Sequence, residues 1–182
     1  MRELKQQHLN FILVILNNDL ASVLVSPSNQ ASFDPFIATL TRFSCDASDP
    51  QSARLAFSAL CKVTSIWGGP DIDIGSPTAP QPTIPGFDGF ILSSFAPLPW
   101  DLIRAGGFNP QDAQMRSVLQ EAAELQWIIL RKVGVAYADQ LSVQLRELGM
   151  NEELVKTYMG NISKSSAEFK KWFVKFIQDA KR

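Results

Sequence analysis

Apolar residues along the chain recur at intervals of three and four, the spacing that places them on one face of an α-helix. The clearest example follows Asp49 and Pro50, since Asp can cap the first turn and Pro loses no hydrogen bond there. Its apolar stripe consists of Leu55, Ala56, Ala59, Leu60 and Val63. Gly68 and Gly69 then predict the end of this helix, because glycine readily adopts the left-handed conformation of a C-cap.

Similar patterns predict helices over most of the chain, and no stretch shows the alternation of apolar and polar residues that is typical of a strand. The expected helices cover residues 2–17, 33–45, 50–67, 86–95, 110–133, 135–148, 151–162 and a last one after a Ser165–Glu168 capping box, with short turns at 19–25 and 100–105. The 33–45 and 50–67 helices form a hairpin like a HEAT unit, which buries its apolar face only by stacking on neighbours. The predicted fold class is therefore all-α, a HEAT-repeat α-solenoid of stacked antiparallel helix pairs.

We expect residues 1–182 to form a single solenoid segment, with one long loop at residues 68–85. This loop contains five prolines and three glycines, and loops of this length inside a domain are usually functional or act as linkers. The run Phe11–Leu16 has six consecutive apolar residues, far fewer than the ~20 that span a bilayer. It predicts a helix buried on most sides and no membrane association.

The residue inventory argues against an enzyme. His8 is the only histidine, and the two cysteines, Cys45 and Cys61, are expected to be reduced and apolar in setting. A Ser-His-Asp triad would need that one histidine, and a structural zinc site needs four ligands. Glu121 and Glu124 share a helix face, which is more simply a solvated surface than an acid–base pair. We therefore expect no catalytic residue, no metal and no cofactor.

Net charge is only −1, but basic residues are concentrated at the end of the chain. Two interpretations remain open: a helix end whose lysines favour the helix dipole, or a surface that contacts nucleic-acid phosphates. In the second case the candidate RNA-binding residues are Lys164, Lys170, Lys171, Lys175, Lys181 and Arg182, with Arg131 and Lys132 as a second, smaller basic point. Phe169, Phe173 and Phe176 lie on one face of the last helix and are expected to be buried against the helix before it. Trp172 and Phe173 are expected to be core residues rather than base-stacking platforms.

Several landmarks, weak individually, occur in an order and spacing that resembles the C-terminal end of the exportin-T family, the tRNA nuclear export receptors of the importin-β superfamily. These landmarks are Ile66-Trp67-Gly68-Gly69, then Pro85-Gly86-Phe87-Asp88-Gly89-Phe90, then Phe108-Asn109-Pro110-Gln111-Asp112-Ala113-Gln114, and the ending Gln178-Asp179-Ala180-Lys181-Arg182. Lys5-Gln6-Gln7-His8-Leu9-Asn10-Phe11 also looks like a helix of that region. Members of the family are several times longer, so the resemblance implies a C-terminal fragment.

The resemblance implies a receptor that wraps folded tRNA together with Ran-GTP and shuttles between nucleus and cytoplasm. Ran-GTP would bind mainly through repeats absent from this chain, and nucleoporins would bind the full-length receptor. The fragment itself is expected to be monomeric. The alternative function is a HEAT-type protein-binding scaffold of another nuclear transport carrier or adaptor. An exposed apolar groove without a basic track would favour that alternative, whereas salt-sensitive binding would favour tRNA.

Overall fold

The computed structural model describes residues 2–69 and 84–181. All regular structure in these two ranges is helical: α1 (Arg2–Asn17), α2 (Ala21–Leu24), α3 (Gln30–Ser44), α4 (Pro50–Trp67), α5 (Phe87–Phe90), a π-helical turn (Ile91–Phe95), α6 (Leu98–Arg104), α7 (Ala113–Val133), α8 (Val135–Glu147), α9 (Glu152–Ile162) and α10 (Ser166–Ala180). The all-α, HEAT-type prediction is confirmed. Most of the predicted 68–85 loop lies outside the described residues, which include only its two ends.

Four helices, α1, α4, α7 and α10, pack side by side in a row, and α3, α6, α8 and α9 contact this row or one another beside it. The first three helices of the row run in the same direction. Arg2 near the start of α1 donates to the carbonyl oxygen of Ser48, just before α4. Cys61 in α4 meets the carbonyl oxygen of Glu121 in the middle of α7, and Lys132 near the end of α7 reaches Gly69 beyond α4. The row is thus the stacked spine expected of a solenoid.

The hairpin of α3 and α4 forms as predicted. Asp49 caps α4 by accepting a hydrogen bond from the backbone N–H of Ser52, and Pro50 occupies the first turn. The two helices are antiparallel, since Phe33 near the start of α3 packs edge-on against Trp67 at the end of α4, with ring centroids 5.4 Å apart. The hairpin therefore closes at both ends, by the short loop at one and by aromatic rings at the other.

Gly68 is required where α4 ends, because a Cβ atom there would lie 2.4 Å from the carbonyl oxygen of Thr64. The left-handed residue predicted for this helix end is Gly69, with φ of 84°. The side chain of Lys132 lies over Gly68, and its Nζ donates to the Gly69 carbonyl oxygen at 2.7 Å. The end of α4 is thus tied to α7 as well as to its own hairpin.

The last helix, α10, reverses the direction of the row. Its first turn lies beside Glu124 and its end beside Pro110, whose carbonyl oxygen accepts from Gln178 Nε2 at 2.9 Å. Phe169 and Phe173 are fully buried, as expected, but Phe176 is only half-buried. All three rings contact Tyr158 of the preceding helix, α9, as expected, while α10 as a whole packs chiefly against α7.

Aromatic contacts join α6, α9 and α10 at that end of the molecule. Tyr158 of α9 lies at the centre of this cluster, where its ring meets those of Trp100, Phe169, Trp172, Phe173 and Phe176. Its hydroxyl donates to Gln126 Oε1 at 2.7 Å, so the buried phenol has a polar partner on α7. Phe173 is a core residue as predicted, and Trp172 is half-buried within the same cluster.

Two other expectations are wrong. The helix predicted to begin at Pro110 begins at Ala113, because Asp112 rather than Asn109 caps it and accepts from the backbone N–H groups of Gln114 and Met115. The apolar run in α1 is not buried on most sides. Only one face of α1 is fully buried, while Phe11 and Val14 on its other side are 64% and 57% exposed.

Candidate nucleic-acid interface

Lys170 lies between α10 and α7 and contacts a carboxylate of its own chain. Its Nζ is 2.7 Å from Glu124 Oε2, and the hydroxyl of Ser166 donates to the same oxygen. Burial lowers the pKa of Lys170, but the hydrogen bond to Glu124 and the charges of Glu124 and Glu121 leave it raised. The side chain is therefore held as a cation that clasps the two helices together.

The other lysines of the terminal segment are exposed. Lys171, Lys175 and Lys181 point into solvent from α10 and its last turn, and Lys164 lies just before the helix, 3.1 Å from Asn161 Oδ1. Glu168 and Asp179 are exposed on the same helix, so acidic side chains are interspersed with the basic ones. Arg182 lies outside the described residues. Carboxylates therefore interrupt the series of terminal lysines, whose RNA-binding role stays a prediction.

The second basic point predicted from the sequence packs against neighbouring groups. The Arg131 guanidinium lies 4.2 Å from the centre of the Trp127 ring, a cation–π contact. The Trp127 Nε1–H donates to the carbonyl oxygen of Lys164 at 2.9 Å. Lys132 binds the end of α4, as described above. Lys132 thus helps to hold α7 against the end of α4, whereas Arg131 stacks on a residue of its own helix, and an RNA-binding role for both stays a prediction.

Two arginines that the sequence analysis did not select join Lys171 on one side of the row. Arg54 is in the second turn of α4 and Arg116 is in the first turn of α7. Arg116 and Lys171 line a groove of about 420 Å³ between α7 and α10, while Arg54 lines an adjoining groove of about 220 Å³ between α4 and α7. We call this surface, defined by Arg54, Arg116 and Lys171, the front face. The two grooves share Ser117, so the front face is continuous across three helices.

The lining of the front-face grooves favours an anion. Among the described residues, neither lining includes an acidic side chain; both consist of cationic, amide, hydroxyl and small apolar groups. Burial raises the pKa of Glu121, against the opposing charges of Lys170 and Arg54. The positions of these arginines offered one signal in the sequence: each lies four or five residues after an aspartate that caps a helix of the row. Without knowing which helices are neighbours, that signal could not be interpreted.

Other kinds of site find little support among the residues that the structure describes. No group of three or more His, Cys, Asp or Glu side chains is placed to hold a metal ion within 2–69 and 84–181. Burial raises the pKa of the Cys61 thiol well above its usual range, which disfavours a reactive thiolate. His8 is exposed on α1. In the described part of the chain, every helix is too short or too polar to cross a membrane.

Comparison with known proteins finds one family along nearly the whole chain. A family model described as Exportin-T matches residues 1–181. Proteins named Exportin-T from Aspergillus clavatus and Emericella nidulans are 43% and 42% identical to it, each over 98% of this chain and 18% of the relative. The Exportin-T of Phaeosphaeria nodorum is 37% identical over 97% of this chain and 18% of that relative. The chain thus spans about a fifth of the length of the curated relatives it matches.

Proposed function

The chain belongs to the exportin-T family, a family of transport receptors, and we propose that it forms part of the tRNA-binding surface of a nuclear export receptor. In this proposal residues 1–182 act as one solenoid segment of a longer receptor that binds tRNA together with Ran-GTP. The receptor contacts nucleoporins and crosses between nucleus and cytoplasm without membrane attachment, and this segment is itself monomeric. Ran-GTP binds mainly through repeats outside this chain, so the part played here is contact with the RNA.

The observation that carries the proposal is the front face. Arg54, Arg116 and Lys171 come from three successive helices of the row, so the cations extend across the solenoid rather than along one helix. Folded RNA presents phosphates over a broad, curved surface, and proteins recognise such molecules largely by shape and by phosphate and 2′-hydroxyl contacts. A series of single cations on a rigid row suits that kind of ligand. Their contacts would supply affinity without reading the base sequence.

The test measures tRNA affinity of the intact receptor as a function of salt concentration. One variant replaces the three front-face cations with glutamine (Arg54→Gln, Arg116→Gln, Lys171→Gln). A control variant removes the same amount of positive charge from helices beside the row. It carries Arg42→Gln on α3, Arg104→Gln on α6 and Lys156→Gln on α9. Lys170 is left intact, because its loss would break the clasp to Glu124 and confuse binding with folding.

We expect the front-face variant to bind tRNA more weakly, with a salt slope lower by roughly one for each phosphate that the variant no longer neutralises. Discrimination between two different tRNAs should hardly change, since phosphates are the same in both. The control should bind nearly as the unmodified receptor does. Equal reductions in the two variants would indicate a diffuse charge effect, and unchanged binding in both would place the RNA surface elsewhere.

A further inference from the structure

We propose that the groove between α7 and α10 holds a single phosphate of the RNA backbone, bound by Arg116 and Lys171 together. This inference rests on the proposed function and adds a defined site to it. The two cations approach the groove from different helices, Arg116 from the first turn of α7 and Lys171 from the second turn of α10. Because the groove lies between these two helices, the two side chains can approach one anion from opposite walls.

The composition of the groove fits an anion of about this size. Besides the two cations it is lined by Ser117, Gln120 and Gln178, with Ala113 and Val174 as small apolar walls. The Gln120 amide can donate hydrogen bonds to phosphate oxygens, and an arginine can bind two such oxygens at once, whereas the Ser117 hydroxyl already donates to the carbonyl oxygen of Ala113. Gln178 is held in place by its hydrogen bond to Pro110, so that wall is rigid.

Both cations are available for a ligand. Arg116 and Lys171 are exposed, and within the described residues neither forms an ion pair within 4 Å. Glu168 lies three residues before Lys171 on α10, and its pKa is lowered chiefly by hydrogen bonds from Ser165 and more weakly by the charges of Lys164 and Lys171. Two cations that line one groove without a close ion pair of their own are expected to attract the same phosphate, since each raises the positive potential at the position that the phosphate would occupy.

The neighbouring groove suggests the course of an RNA strand that is bound at this site. It carries Arg54 and is joined to the first groove at Ser117. A strand whose phosphate lies between Arg116 and Lys171 can therefore place a nearby phosphate at Arg54 without crossing an acidic side chain of either lining. Lys175, one turn beyond Lys171 on α10, is exposed but does not line the groove. It provides a matched control on the same helix.

The experiment is a double-mutant cycle in the intact receptor, with tRNA affinity measured over a range of KCl concentrations. The variants are Arg116→Gln, Lys171→Gln, the double variant and Lys175→Gln. If one phosphate is shared, each single substitution weakens binding several-fold, and the double variant weakens it by much less than the product of the two. For the double variant, the slope of log affinity against log salt concentration becomes shallower by slightly less than one. Lys175→Gln stays within about twofold of the unmodified receptor, the size of an exposed charge effect.

Other outcomes would overturn the site. Independent reductions in affinity, with a salt slope lower by nearly two, would mean that the cations contact two separate phosphates. An equal reduction in the tRNA affinity of Lys175→Gln would mean that the positive charge of α10 as a whole attracts the RNA, without a defined site in the groove. In both cases the front-face triple variant would still bind poorly, so the proposed function would survive; if that variant also bound normally, the function itself would fail. Inorganic phosphate, added at constant ionic strength, distinguishes free phosphate from RNA: displacement of tRNA at micromolar phosphate would mark a site for the free anion.

Discussion

Phe173 is one of the two phenylalanines of α10 that are fully buried. Its ring lies 5.8 Å from that of Phe169 and 6.1 Å from that of Trp100. An aromatic side chain buries ~150–250 Å², which at ~25 cal/mol per Å² corresponds to about 4–6 kcal/mol as an upper bound. Alanine retains the β-carbon, and the cavity relaxes in part. We therefore expect Phe173→Ala to lower the free energy of unfolding by about 3–5 kcal/mol.

The measurement is urea unfolding of the chain followed by circular dichroism, with the slope m compared between variants to check that the transition keeps its character. Phe176→Ala is the matched control, because this ring is half-buried one turn further along the same helix. It should cost about 1–2 kcal/mol, in the range of ordinary substitutions. A decrease below about 1 kcal/mol for Phe173→Ala, or equal decreases for both variants, would show that this ring does not anchor α10 against α6 and α9.

Two further predictions concern charged groups. Lys170→Ala and Glu124→Gln should each destabilise the chain. A double-mutant cycle measured by thermal unfolding should give a coupling energy of about 1 kcal/mol between them, as for a partly buried charged hydrogen bond. Additive effects of the two substitutions would show that Lys170 and Glu124 do not hold α10 and α7 together. Hydrogen bonds from Ser48 and, against some burial, from Lys5 lower the pKa of Asp46 in the folded chain. The stability that the charged Asp46 contributes is therefore present above the unfolded pKa of about 4 and is lost as pH falls through the folded pKa. When the free energy of unfolding is measured against pH, Asp46→Asn should lose less stability on acidification than the unmodified chain. The same dependence on pH in both chains would refute this.

The helices themselves were largely predictable, because caps and apolar stripes are local features of the sequence. Asp49 and the Ser165–Glu168 capping box act as their sequence patterns predicted. The start of α7 was missed for a physical reason: Asn109 and Asp112 are both good caps, and Asp112 prevails by accepting from two backbone amides while Asn109 makes a local turn. Propensity alone does not decide between two caps on neighbouring turns.

The candidate site was less predictable, because it depends on which helices are neighbours. Lys170 and Lys171 are adjacent in the sequence, yet one binds Glu124 between helices and the other lines an open groove. Arg54 and Arg116 are far apart in the sequence and become neighbours only through the packing of α4 on α7. Helical periodicity specifies the face of each residue but not the partner of that face, so the front face required the tertiary structure.

The contact between Trp67 and Phe87 has a consequence for how the chain can change in length. These rings lie 6.1 Å apart and hold together the two ends of the 68–86 stretch, from the last residue of α4 to the first of α5. The packed rings fix the distance between the two ends, and the entropic cost of closing a flexible loop grows only logarithmically with its length, at about 0.6 kcal/mol per doubling. Insertions between Trp67 and Phe87 therefore cost little folding stability, and the stretch can vary in length without disturbing the row.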